Sequence, residues 1–403
     1  MQALVYHRSI PRYLLSRMYY RFRPRTFLPW LAPLRLQEIP LRPPGPEWVI
    51  LRNRMCGLCG SDLGLLKGTE SLLLEPYASF PAVLGHEVVA EVAESPPGSA
   101  WRPGERVAVE PVLPCEVRGI NPCPRCAQGE YNLCENFTRG PLSAGASIGY
   151  NRDAGGGLSE FMAAHPSRLV RLPGELPDET AVLTDSLASA LQPLLDNFPE
   201  EGALVVVYGA GIIGQHLVRL LKALAGGVQI VAVARYPFQE ELARDGGADA
   251  VLLSPDREEL AGAVGARLLR TPLGGGNPEG GADLFFDCVG SSGSLQEGLL
   301  ALKGRGVYVL VAAAGMMTRV DISSLWFREL RLTGSAMCAY GRLRGRKART
   351  YELAVELLAG GNYPVRGLLS HTFTLPDYRR AFRAAFDKPG FESMKVAVDL
   401  TRK

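Results

Sequence analysis

The chain has 403 residues, 47% of them apolar and 21% charged. That composition excludes a mostly disordered protein, and at roughly 150 residues per domain the length favours two or three domains. Lysine plus arginine (44) nearly balance aspartate plus glutamate (41), leaving a formal charge of +3, too small an excess for a dedicated nucleic-acid binder.

No stretch nears the roughly 18 uninterrupted apolar residues of a membrane span. No apolar export region follows the start either. The expected compartment is the cytoplasm, where clustered cysteines bind metal more often than they pair.

Residues 2–6 (QALVY) predict a short strand. The segment that follows, 7–29, is strongly basic: the first 37 residues hold seven arginines and no acid before Glu38. It reads first as a solvated or intersubunit basic helix. A membrane-surface amphipathic helix and a cleaved transit peptide are the alternatives, and the strand at 2–6 argues against the last.

From 40 to about 170, short β-type runs alternate with Pro- and Gly-rich turns, as in an irregular all-β unit. From about 180 the character changes. Helix-like 178–196 precedes an apolar strand at 203–208, which runs into a glycine motif and a helical segment. Strands at 228–234, 250–253, 283–289 and 306–314 then alternate with helix-like 238–246 and 294–303. Strands apolar on both faces, alternating with helices, predict a parallel sheet covered on both sides.

Gly209-Ala-Gly211-Ile212-Ile213-Gly214 fits G-x-G-x-x-G after a buried strand and at the start of a helix. The first glycine allows the tight turn. The second lets a pyrophosphate approach the backbone, and the third lets helix and strand pack closely. A dinucleotide is the expected ligand, held at the helix N-terminus. An NAD-type site needs an acid about 20 residues further on, at the end of the second strand. That position is Ala234, followed by Arg235. A guanidinium suits a 2′-phosphate, so NADP is expected over NAD.

Two groups of metal-type residues lie in the β-rich part. Cys115, Cys123, Cys126 and Cys134 fall within twenty residues. Four thiolates leave no open coordination position, which predicts a structural zinc. Cys56-Gly-Leu-Cys59-Gly-Ser61-Asp62 and, about 25 residues on, Gly85-His86-Glu87 form the second group. Cysteine and histidine are good zinc ligands, and a nearby carboxylate orients the histidine or tunes the metal.

In that order, CGLCGSD, VLGHE, the four-cysteine lobe and GAGIIG resemble the zinc-dependent medium-chain dehydrogenases, the family of alcohol, sorbitol, threonine and glucose dehydrogenases. The resemblance spans nearly the whole chain. It implies a GroES-like β domain with two zinc sites plus a Rossmann domain, with boundaries expected at 1–178 (completed by 338–403) and 179–337.

The resemblance makes Cys59 and His86 catalytic zinc ligands, Glu87 the acid beside the metal, Ser61 the hydroxyl that takes the substrate proton and Asp62 a supporting carboxylate. The third ligand, at the start of the helix before the Rossmann unit, is expected to be Asp185, whose bland alternative is an N-cap. Cys56 matches no ligand position and reads as a core thiol. The implied activity is hydride transfer between an alcohol, polyol or sugar and a nicotinamide cofactor, by a homo-oligomer (dimer or tetramer) carrying two zincs per chain.

Three features depart from the family pattern. Gly64 stands where many relatives have a relay histidine. The lobe usually opens with C-x2-C, but position 120 is Ile, so Cys115 must reach in through a longer loop. Segment 7–29 looks like an insertion. The competing functions are a zinc-scaffolded nucleotide binder without dehydrogenase activity and a zinc-independent quinone or enone reductase; the latter lacks a Cys59/His86 pair.

Overall fold

The computed structural model describes residues 1–272 and 276–402. The chain divides into two compact units. The first comprises Met1–Ala188, Met337–Tyr340 and the chain from Lys347 onward; the second comprises Ser189–Ala336 and Gly341–Arg346. The first boundary falls ten residues beyond the 178/179 expected from the sequence. Asp178, the last residue before the expected boundary, is tied into the β-rich unit, accepting hydrogen bonds from Arg54 and Arg106.

The first unit is built on a seven-stranded sheet. Strand Val49–Gly57 buries alternate residues at its start, the period-two pattern of a sheet with one face in the core. It pairs antiparallel with Glu87–Glu94 along one edge. Along the other it pairs first with Phe161–Ala164 and then with the C-terminal strand Lys395–Asp399. Residues from opposite ends of the chain therefore share the end of this strand, just before Cys59. A small sheet joins Gln2–Tyr6, Leu34–Glu38 and Ala82–Val83.

The second unit contains six parallel strands. Their order is Ala250–Leu253, Gln229–Ala234, Leu204–Tyr208, Ala282–Asp287, Leu302–Leu310 and Arg331–Gly334. Numbered along the chain this is 3-2-1-4-5-6, the doubly wound arrangement that places a ligand crevice where the order reverses. The reversal lies between Leu204–Tyr208 and Ala282–Asp287. The strand expected at 306–314 ends at Leu310, where its neighbours stop at Asp287 and Gly334. An antiparallel strand pair, Arg267–Arg270 with Gly276–Glu279, and a helix, Arg257–Ala263, were not legible in the sequence.

Candidate active site and zinc centres

Cys59 sits at the N-cap of the helix Gly60–Lys67. The Cys59 backbone N–H donates to Asp62 Oδ2 at 2.9 Å, which closes a capping turn and fixes the thiol at the helix entrance. The fully buried Asp62 also accepts from the Tyr150 hydroxyl at 3.3 Å and lies 3.8 Å from His86 Nδ1. One carboxylate thus bears on the cysteine backbone, the histidine ring and a tyrosine. Ser61, the second residue of that helix, lies near the Tyr150 hydroxyl, where it opposes the rise that burial imposes on the tyrosine's pKa.

One ligand atom each from Cys59, His86 and Glu87 lies within 4.8 Å of the others. Burial works against a charged His86. The Asp62 and Cys59 charges, a hydrogen bond to Cys59 and the Asp185 charge outweigh it and push the imidazole well above its usual pKa. Among the described residues, His86 Nδ1 is buried without a hydrogen-bond partner.

Glu87 and Asp185 differ in their company. Glu87 accepts from the buried Lys395 through both oxygens, each at 2.6 Å. Asp185 lies in the first turn of Thr184–Asp196, one residue inside the helix and not at its cap. It is buried. Burial pushes it up to about 7, with His86 opposing and Glu87 adding to the shift. Asp185 is outside the Cys59–His86–Glu87 trio, but close enough for its charge to act on His86.

The residues fit a divalent zinc. Three buried carboxylates and a thiol surround one lysine and one histidine, and the environment draws positive charge onto the imidazole. A cation satisfies that excess of negative charge, where an uncompensated buried carboxylate costs several kcal/mol.

The Cys56 thiol lies apart from this chemistry. It is fully buried in its strand, and burial pushes it well above the usual thiol range. At Gly64 the missing side chain is partly replaced: Glu70 Cγ lies 3.4 Å from where a β-carbon would stand. Lys395, Tyr150 and Glu70 were missed in the sequence. Their only signals were a lysine opening an apolar strand and two polar residues in loops flanking the motifs.

The four-cysteine lobe brings Cys115, Cys123, Cys126 and Cys134 together, again within 4.8 Å, and all four are free thiols. Cys115 reaches the group from a turn closed by Ile120 N–H to Cys115 O at 3.1 Å. Backbone N–H groups of Cys123, Cys126, Glu135 and Asn136 point at the sulfurs at 3.3–3.5 Å, an arrangement that favours thiolates. The donor set fits a closed tetrahedral zinc. Arg118, one of two basic residues between Cys115 and Cys134, is fully buried and donates to the carbonyls of Leu113, Arg139, Leu142, Ser143 and Gly145. It clamps the lobe and is not available to a nucleic acid.

In the second unit, strand Leu204–Tyr208 runs into Gly209, whose φ of +102° suits only glycine. A β-carbon on Gly214 would collide with the Gly209 carbonyl, whereas one on Gly211 would meet nothing within 4 Å. The first and third glycines are therefore needed for packing, and the second faces open space at the N-cap of Ile212–Leu224. Ala234 ends its strand, and Arg235 follows, exposed, its guanidinium 5.7 Å from the Tyr236 ring centre.

Two family models match the chain: the alcohol dehydrogenase GroES-like domain over residues 45–174 and the zinc-binding dehydrogenase domain over 213–359. The chain belongs to the zinc-dependent medium-chain dehydrogenases. Sorbitol dehydrogenase from Homo sapiens is 29% identical over 356 residues, covering 87% of this chain and 88% of the relative. L-threonine 3-dehydrogenase from Pyrococcus horikoshii is 26% identical over 349 residues, covering 86% and 90%. Galactitol-1-phosphate dehydrogenase from Escherichia coli superimposes with a TM-score of 0.73 at 20% identity, covering 99% of this chain and all of that one. As a member of this family the protein is an oxidoreductase that uses zinc and a nicotinamide cofactor, with a GroES-like unit and a Rossmann unit. No helix among the described residues is long and apolar enough to cross a membrane.

Proposed function

We propose that the protein oxidises a secondary hydroxyl of a polyol or related alcohol, and reduces the corresponding carbonyl, with NADP preferred over NAD. The observation that carries this reading is the gathering of Cys59 and His86, with the buried Asp185 close enough for its charge to act on His86, at the entrance of the helix that carries Ser61. The similarity to sorbitol dehydrogenases along most of the chain supports the substrate class.

In this reading Cys59, His86 and Asp185 hold the catalytic zinc. When bound, zinc acts as a Lewis acid on the substrate oxygen and lowers the pKa of its hydroxyl. Asp62 holds the His86 ring and the Cys59 backbone in place. The Ser61 hydroxyl accepts the substrate proton and passes it on, with Tyr150 held nearby by its hydrogen bond to Asp62. Glu87 stays with Lys395, so its charge is already balanced and Asp185 remains for the metal. Gly211 and the N-terminus of Ile212–Leu224 receive the pyrophosphate, and Arg235 the 2′-phosphate.

Exposed Ile322, Trp326, Phe327 and the edge strand Arg331–Gly334 with Leu332 support a homo-oligomer assembled through the second unit. Eight free cysteines support a reducing compartment such as the cytoplasm. The test is zinc analysis together with a panel of polyols, sugars, amino alcohols and simple alcohols, each with NAD and NADP. Two zincs per chain and turnover of a polyol are expected. One zinc with nucleotide binding but no turnover would leave a zinc-scaffolded binding protein.

A further inference from the structure

The basic segment forms a helix, Ile10–Phe22, with a proline in its first turn. Its apolar residues recur every four positions, so Ile10, Leu14, Met18 and Phe22 lie along one stripe, each turned about 40° from the last. Such a stripe ordinarily faces the core. Here it faces outward: these residues are 63, 59, 62 and 74% exposed, and Ser16 and Tyr20 on the opposite side are buried. The helix is anchored by that opposite side. Tyr20 packs against Phe386, and the Tyr13 hydroxyl donates to the Glu70 carbonyl.

Arginines frame the stripe. By helical geometry Arg17 borders it on one side, Arg12 on the other, and Arg21 lies in its last turn. All three are exposed, and none makes an ion pair among the described residues. Arg8, just before the helix, pairs with Glu75 and so ties the helix start to the segment Leu72–Tyr77. That segment exposes Leu72, Leu73 and Leu74, and Trp30 is exposed beyond the helix end.

We propose that this face docks in plane on an anionic lipid surface. An apolar stripe bordered by arginines, with no acid in the first 37 residues, matches an acyl boundary under negative headgroups. The apolar side chains enter the boundary while the arginine stems lie along it and their guanidinium groups meet the headgroups. Exposed Trp30 suits the same interface. The absence of acids favours lipid over a protein partner, whose complementary patch would ordinarily carry charges of both signs.

The test uses the full-length zinc-loaded enzyme in sedimentation with vesicles of phosphatidylcholine alone or mixed with phosphatidylglycerol. Binding to the mixed vesicles, weakened by salt, with little binding to phosphatidylcholine alone, is expected. Arg12→Gln, Arg17→Gln and Arg21→Gln should each weaken binding roughly fivefold. The triple variant Leu14→Ser/Met18→Ser/Phe22→Ser should lose vesicle binding and keep its dehydrogenase rate, because these side chains point away from the body of the unit. Failure of the wild type to bind the mixed vesicles, or undiminished binding by the triple variant, would overturn the proposal. So would a concentration-dependent self-association, seen by ultracentrifugation without lipid and abolished in the triple variant, because the face would then serve a second copy of this chain.

Discussion

Lys395 donates to both carboxylate oxygens of Glu87 at 2.6 Å, with both side chains almost completely buried. Burial disfavours a charged lysine, but the Glu87 and Cys59 charges prevail and raise its pKa. Replacing Lys395 by Met leaves a buried carboxylate uncompensated. The expected cost is about 3–5 kcal/mol, and the double variant Lys395→Met/Glu87→Leu should recover much of it. Urea unfolding of the two single variants and the double decides this. A double variant no more stable than Lys395→Met would show that the pair is not a coupled unit.

Asp185→Asn should lower zinc content by close to one per chain and remove nearly all turnover, while Glu87→Gln should keep most of its zinc. Metal analysis beside kinetics reads both. The opposite ranking would make Glu87 the third ligand and Asp185 a spectator.

The four-cysteine lobe should behave differently. Cys126→Ser is expected to lose the other zinc and to lower the melting temperature, because a structural metal contributes its binding energy to folding. Turnover per folded molecule should change little. Arg118→Met should also destabilise the lobe, by several kcal/mol, since it strands five carbonyl acceptors at about 1 kcal/mol or more each. Normal melting of both variants would remove the structural role.

Cofactor choice rests on Ala234 and Arg235. Arg235→Ala should reduce kcat/KM for NADP by about tenfold or more and leave NAD nearly unchanged, in keeping with roughly 1.5–3 kcal/mol for a hydrogen bond to a charged group. An NAD preference in the wild type, or an unmoved ratio in the variant, would refute it.

Glu70 is pushed up to about 7, mainly by burial, with the Asp62 charge adding and His86 opposing. An acid whose pKa is raised on folding makes the folded state less stable as pH climbs from the unfolded value through the folded one, here from 4.5 to about 7. Glu70→Gln should therefore match the wild type near pH 4 and become more stable by a few kcal/mol at most near pH 8. Denaturant midpoints across that range measure it. Gly64→His would set a titratable ring against Glu70, so it should alter both this profile and the pH dependence of turnover.

Chemistry carried by short spacings was readable without the fold. The glycine motif depends on the local backbone, since Gly209 needs a positive φ and Gly214 must meet Gly209. The four cysteines sit on consecutive turns, and alternation of apolar strands with helices is enough to dictate a parallel sheet.

What the spacing could not carry is any pairing made by the sheet itself. Lys395 meets Glu87 across 308 residues because the last strand joins the edge of Val49–Gly57. Tyr150 reaches Asp62 across 88, from a loop with no regular pattern. The N-terminal helix makes the point most directly. Its hydrophobic period is legible, but a period specifies a face and not a direction. Only the anchoring of Tyr13 and Tyr20 turns Ile10, Leu14, Met18 and Phe22 away from the core.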